Sequence, residues 1–286
     1  MAALQIPPSF QTKNRFRVDG ETALLIYLQK MASAHCTYNQ MLDIYGGFEL
    51  RLSDTFHAVS THIHGRFAHV LTDWDRWAPF FTDFADSMYE TSGAYDTCVG
   101  FIDGKFWDTC RPVRNQDQAY SGHKRGHGVK TQSVVFPNGM IGHFYGTTNG
   151  NRHDGFMLRC SRLRSAIRTY NRVNGTRWCV YGDPAYPFCA EIQAGFRGRL
   201  TPGQQIFNTK MSADRIAVEW GFGRIVQLWR YVANRTAMKI YEAPIGMYID
   251  NAALLTNLHT ILYGGGPFYT HFDCHANFES LAAYLN

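Results

Sequence analysis

Three carboxylates stand where they could hold a metal ion and direct hydrolytic chemistry: Asp103, Asp183 and Glu219. Asp103 closes the apolar run Cys98-Val99-Gly100-Phe101-Ile102, and Asp183 follows Trp178-Cys179-Val180-Tyr181-Gly182, each with a glycine beside it. Such runs predict short strands. Ligands gather at the carboxyl ends of strands in α/β sheets, where two aspartates can share a cation. Glu219 comes thirty-six positions after Asp183, inside Arg215-Ile216-Ala217-Val218-Glu219-Trp220-Gly221-Phe222-Gly223-Arg224. On a helix so rich in apolar residues and glycine it is expected to be buried, and therefore paired or metal-bound. A fourth acid, Asp154, is the single acid among seven arginines between Asn151 and Trp178. It reads either as a further ligand or as the N-cap of the helix that follows it. Hard carboxylate oxygens suit Mg²⁺ or Mn²⁺. Two such ions roughly 3.5–4 Å apart can activate an attacking water and stabilise the leaving oxygen of a phosphodiester, with no covalent nucleophile from the protein.

Positioning these acids requires a sheet with helices around it. Residues 22–93 read as helical: Leu24, Leu25, Leu28 and Met31 share one helix face. Thr37 caps a short helix, Tyr38 to Tyr45, that Gly46-Gly47 ends, and Ser53 is placed as the N-cap of a long helix carrying Phe56, Val59, Ile63 and Phe67. Helix, short helix, glycine turn and third helix is the outline of a helix-turn-helix unit, and equally of any small three-helix bundle. From Tyr95 the period changes. A strand ends at Asp103, with Gly104 permitting a turn. Val129–Phe136 and Met140–Thr147 alternate as a hairpin about Pro137-Asn138-Gly139. Helix over Gly155–Tyr170, strand over Trp178–Tyr181, and helices over Ala213–Val232 and Ile249–Tyr263 follow. The order predicts two domains: a helical, helix-turn-helix-like module over residues 1–94 and a mixed-sheet α/β domain over 95–286.

Composition limits the alternatives. With 286 residues, 45% hydrophobic and 15% aromatic, the chain can bury a core and is not a disordered protein. No apolar run is long enough to span a membrane and the N-terminus carries no h-region, so an intracellular protein without membrane contact is expected. Seven scattered cysteines with no C-x-x-C pair read as reduced thiols. His271, Cys274 and His275 come nearest to a zinc cluster, but their spacing is irregular and they read as a plain tail. The net charge of +5, with arginines dense between residues 152 and 177 and further bases between Arg111 and Lys130, points to a phosphate-backbone surface that includes Arg162, Arg164 and Arg168.

Taken in order, Gly100-Phe101-Ile102-Asp103-Gly104, Tyr120-Ser121-Gly122-His123-Lys124-Arg125, Arg152-His153-Asp154, Tyr181-Gly182-Asp183-Pro184-Ala185-Tyr186-Pro187 and Arg215 to Arg224 resemble the DDE nuclease domain of the PIF/Harbinger transposases, from about Asp96 to Leu262. The resemblance implies an RNase H-like fold and divalent-metal phosphodiester chemistry on DNA. It makes Asp103, Asp183 and Glu219 the catalytic acids and Asp154 a fourth acid of the metal site. It also implies a nuclear location and a separate Myb-like protein that assists DNA binding and nuclear import; a homo-oligomer is a further expectation. Two other readings stay open. One is a domesticated, catalytically silent DNA-binding protein, which the intact acids argue against. The other is a small-molecule metallohydrolase, for which His123, His127, His143 and His153 lack the tight ligand spacing.

Overall fold

The computed structural model describes residues 1–93 and 95–286; residue 94, at which the sequence places the domain boundary, lies outside the described residues. A two-stranded ribbon, β1 (Ser9–Gln11) and β2 (Arg17–Asp19), leads into α1 (Gly20–Ala32), which starts where the Asp19 carboxylate accepts the Thr22 amide at 3.0 Å. Helix α2 (Tyr38–Tyr45) has the expected limits, a Thr37/Gln40 capping box and Gly46. Helix α3 (Glu49–Phe67) does not start at Ser53. The two glycines complete the chain reversal by themselves, both with positive φ, and Phe48 is the extended N-cap. Leu52 then buries on the same face as Phe56, Val59 and Ile63, so the helix gains its apolar stripe one turn earlier. Helix α4 (Phe81–Ser92) completes this region.

The sheet follows. Strand β3 (Cys98–Asp108) is succeeded by the single turn α5 (Gln116–Ala119), the short β4 (Tyr120–Ser121), and the hairpin β5 (Gly126–Val135) and β6 (Ile141–Asn149). Helices α6 (Asp154–Cys160) and α7 (Leu163–Asn174) replace the single predicted helix; Arg162, with φ of 59°, breaks it. Strands β7 (Cys179–Gly182) and β8 (Ile192–Ala194) come next. Helix α8 (Pro202–Asp214) was not expected, although its capping box, Thr201 with Gln204, is legible in the chain. Arg215 separates it from α9 (Ile216–Leu228). Helices α10 (Ile245–Tyr263), α11 (Pro267–Phe272) and α12 (Leu281–Leu285) close the chain.

The sheet order is β6-β5-β3-β7-β8, with β4 added to the first residues of β5. Pairs β6/β5 and β5/β3 are antiparallel, β3/β7 and β7/β8 parallel. This mixed sheet flanked by helices is consistent with the RNase H-like arrangement. Strand β3 does not end at Asp103 as expected. It runs five residues further because β5 supplies partners as far as Asp108↔Gly128.

Helices on both sides of residue 94 share one buried cluster, from Leu4 to Leu285. Phe136, after β5, stacks on Phe84 of α4 at 4.6 Å and meets Trp77 edge-on at 4.8 Å. Helix α3 lies on α10: Asn251 Nδ2 donates to the Ser60 carbonyl at 3.0 Å, and Tyr248 Oη is 2.8 Å from His57 Nδ1. Among the described residues, no helix is long and apolar enough to cross a membrane.

Two bases of the arginine-rich helix α7 are anchored while their side chains stay exposed. Arg164 Nε and Arg168 Nε donate to the two oxygens of Glu191 at 2.9 and 2.6 Å, tying α7 to the start of β8. Glu191 lies more than twenty residues away in sequence, so the pairing leaves no local trace in the chain. With Arg168 foremost, these donors hold the Glu191 carboxyl down at about 2. Stability from such a carboxylate is present above its unfolded value, about 4.3, and is lost as pH falls towards 2. Glu191→Gln is therefore expected to lower Tm by a few degrees at pH 7, with the gap to wild type closing between about pH 5 and pH 2. Thermal melts across that range check it; a gap that persists at the acid end would trace the loss to packing instead of charge.

Candidate active site

Four elements bring the four acids to one cleft of about 1010 Å³. Parallel pairing of β3 with β7 matches Phe101 to Tyr181 and Ile102 to Gly182, so Asp103 and Asp183 follow side by side. At Asp103 the Oδ1 accepts the Gly104 amide at 2.8 Å, and Oδ2 lies 3.5 Å from Arg215 Nη1, the residue between α8 and α9. At Asp183, Oδ1 accepts the Ala185 amide at 2.9 Å and the carbonyl accepts the Tyr186 amide at 3.1 Å, which folds residues 183–186 into a tight turn.

Asp154 is the first residue of α6 and not its cap; His153 holds the N-cap position, and no side chain caps this helix. The Asp154 Oδ1 instead accepts Lys130 Nζ of β5 at 2.7 Å, and the same ammonium donates to the Arg152 carbonyl at 3.1 Å. Gly104, expected to make a turn, is a strand residue whose bareness has another use: a Cβ there would collide with the Asp154 carboxylate. Only glycine lets α6 bring its acid so close to β3.

Glu219 lies in the first turn of α9 and is exposed, contrary to the expectation of burial. The helix turns Ala217, Val218, Gly221 and Ile225 into the core and gives Glu219, Gly223, Val226 and Gln227 to the cleft. A helix this apolar can still have a wet side, and the acid marks it.

Cations share the cleft. Lys105, Lys124, Lys130, Arg152 and Arg215 line it with the acids, as do His123 and His153. Burial raises the Asp103 carboxyl to about 6, against the Gly104 amide and Arg215, with Asp183 and Asp154 adding repulsion. Burial also lowers the Lys105 ammonium, helped by Lys124. The floor thus carries mutually repelling carboxylates that Arg215 and Lys130 partly neutralise.

Asp103, Asp154, Asp183 and Glu219 offer only hard oxygens, the donor set that suits Mg²⁺ or Mn²⁺. Among the described residues, no three such groups converge closely enough to hold an ion as they stand. Among the described residues, no three histidine, cysteine or acidic side chains gather as a rival centre. His143 is buried in β6, and burial lowers its imidazole to about 4. His271 pairs with Asp214 at 3.1 Å and His275 with Asp273 at 3.2 Å, while Cys274 is buried. Arg215, Lys130, Lys105 and Tyr186 received no individual role from the sequence. Arg215 and Tyr186 lay inside the quoted motifs, whereas nothing in the alternation of β5 distinguishes Lys130 from a surface lysine.

Residues 102–257, more than half of the chain, match the family model described as DDE superfamily endonuclease. No curated protein and no solved structure matches.

Proposed function

From a chain that belongs to the DDE superfamily endonucleases, we infer a Harbinger-type transposase that cuts, and joins, DNA phosphodiester bonds with Asp103, Asp183 and Glu219 as catalytic acids and Asp154 as a further metal ligand. Family membership implies a nuclease acting on DNA, and DDE nucleases generally use divalent metals. The observation that carries the finer reading is that these four acids, from four elements, line one cleft together with five cationic side chains, Lys105, Lys124, Lys130, Arg152 and Arg215, and a fifth acid, Asp108. The order of the motifs around those acids supports the Harbinger branch. With that branch go a nuclear location, a Myb-like accessory protein and a homo-oligomer.

Each residue has a task in this reading. Asp103, Asp154, Asp183 and Glu219 would hold Mg²⁺ or Mn²⁺, which supplies activation of the attacking water or hydroxyl and stabilisation of the leaving oxygen. Holding a cation would require Asp103 and Asp154 to give up their pairings with Arg215 and Lys130. Those two side chains would then serve an entering phosphate as charge-assisted donors. Lys105, Lys124 and Arg152 hold the flanking backbone, whose binding weakens with salt. The carboxylates repel a phosphate by themselves, so DNA and divalent cation are expected to enter cooperatively.

Supercoiled plasmid tests the reading. Nicking is expected with Mg²⁺ or Mn²⁺, none with EDTA, and return on adding excess cation. Cleavage undiminished in EDTA would overturn the metal-dependent mechanism; tight DNA binding without cleavage under every cation would favour the silent, DNA-binding alternative.

A further inference from the structure

Behind the acids, among the described residues, one buried polar group stands without a partner. Tyr186 is 1% exposed, and among the described residues its hydroxyl makes no hydrogen bond. A buried hydroxyl without a partner is destabilising relative to the same ring without it, so its persistence at a carboxylate cluster calls for a function.

The fold aims it. Tyr186 ends the turn that begins at Asp183, and its ring packs over Gly182, where a Cβ would lie 2.8 Å from Tyr186 Cδ2. Gly182 is level with Ile102 of β3, and Ile102 shares a face with Gly104 two residues on. Both gaps therefore open on one side of the sheet. Tyr186 fills the first and the Asp154 carboxylate fills the second. Two strand residues advance about 6.6 Å, close to the reach of a tyrosine side chain. The field at the hydroxyl agrees: after burial, Asp154, Asp103 and Asp183, in that order, raise its pKa well above the usual tyrosine value, against Arg215.

The oxygens nearby are unequally occupied. Both Asp103 oxygens face donors, Gly104 and Arg215; one Asp183 oxygen takes the Ala185 amide and one Asp154 oxygen takes Lys130. The second oxygens of Asp154 and of Asp183 have no donor among the described residues; of the two acids, Asp154 is the one whose carboxylate fills the neighbouring gap at Gly104. We propose that Tyr186 is a positioning residue of the site: its hydroxyl donates to Asp154 when that carboxylate leaves Lys130, and so fixes it in the orientation that binds a divalent cation. The inference rests on the metal-site reading above. It explains why a tyrosine, instead of the phenylalanine that would fill the same space, sits behind Asp183. Groups that orient a ligand from behind typically change metal affinity 10–100-fold when removed.

The test uses the full chain, with Mn²⁺ as probe and its binding followed by electron paramagnetic resonance of the free ion. Tyr186→Phe is expected to raise the Kd for Mn²⁺ about tenfold while leaving Tm in EDTA equal to or above that of wild type. A purely structural hydroxyl would give the reverse, a lower Tm and an unchanged Kd, and would overturn the proposal. Asp154→Asn identifies the acceptor: adding Tyr186→Phe to it is expected to cost no further affinity, and a full additional tenfold would assign the hydroxyl to another acid and overturn its pairing with Asp154. Asp183→Asn separates the two levels of the argument. If wild type binds no Mn²⁺, or Asp183→Asn binds it equally well, the metal site itself falls and the proposal with it. If Asp183→Asn loses binding while Tyr186→Phe keeps it within twofold, only the role of Tyr186 falls.

Discussion

Asp103→Asn and Asp183→Asn are each expected to abolish Mg²⁺-dependent nicking, by at least about 10³-fold, without lowering the melting temperature of the cation-free protein. Coordination supplies several kcal/mol of transition-state charge stabilisation, and every 1.36 kcal/mol is tenfold in rate. The stability half of the prediction follows from electrostatics. Burial and the neighbouring acids raise the Asp103 carboxyl to about 6, so its ionisation is less favourable in the folded than in the unfolded chain. A group raised in this way costs stability as pH climbs from about 4 through 6. Asparagine keeps the shape and removes that cost, so Asp103→Asn is expected to melt at or above wild type at pH 8, and closer to it at pH 5. Plasmid nicking read beside calorimetry at the two pH values checks both halves. Either variant cutting at the wild-type rate would remove its aspartate from the site; inactivity accompanied by a large fall in Tm at pH 8 would mean that the acids hold the fold together.

Deleting residues 22–72 is expected to destroy cooperative folding of the remainder. Helix α3 buries Leu52, Phe56, Val59, Ile63 and Phe67. Helix α10, against which it lies, is buried on most of its circumference, including Tyr248, Ile249, Ala252 and Leu255. Each large apolar side chain contributes about 1.5–3 kcal/mol by its burial, so losing the five on α3 alone removes as much as the whole stability of an ordinary domain, about 5–15 kcal/mol. Polar anchors would be orphaned too: Asn251 would lose the Ser60 carbonyl and Asp250 would lose His64. Urea unfolding followed by circular dichroism decides the matter. A truncated chain that melts cooperatively and still nicks plasmid would establish these helices as a separable module, free to act as a helix-turn-helix on DNA; a broad, non-cooperative transition would make them the cover of the nuclease core.

Local chemistry made much of this legible from residue types. Asp103 and Asp183 each close an apolar run beside a glycine, the hairpin turns at Pro137-Asn138-Gly139, and Thr37 with Gly46 brackets α2, because turns, caps and short strands are written in neighbouring residues. The ordered motifs resembled a DDE nuclease, and the family match over residues 102–257 agrees. Errors fell where a partner distant in sequence decides. Whether β3 stops at Asp103 depends on how far β5 runs beside it; whether Glu219 is buried depends on which side of α9 meets the sheet. Pairing makes the same point. Arg164 and Arg168 look free until Glu191 is brought to them, Asp154 looks like a cap until Lys130 reaches it, and Tyr186 looks like a core aromatic until its hydroxyl is seen to lack a partner. The sequence by itself determined which acids are present and the turns and strands that carry them. Only the tertiary structure decided which charges face one another, because an ionic partner is chosen by distance in space, to which separation along the chain is no guide.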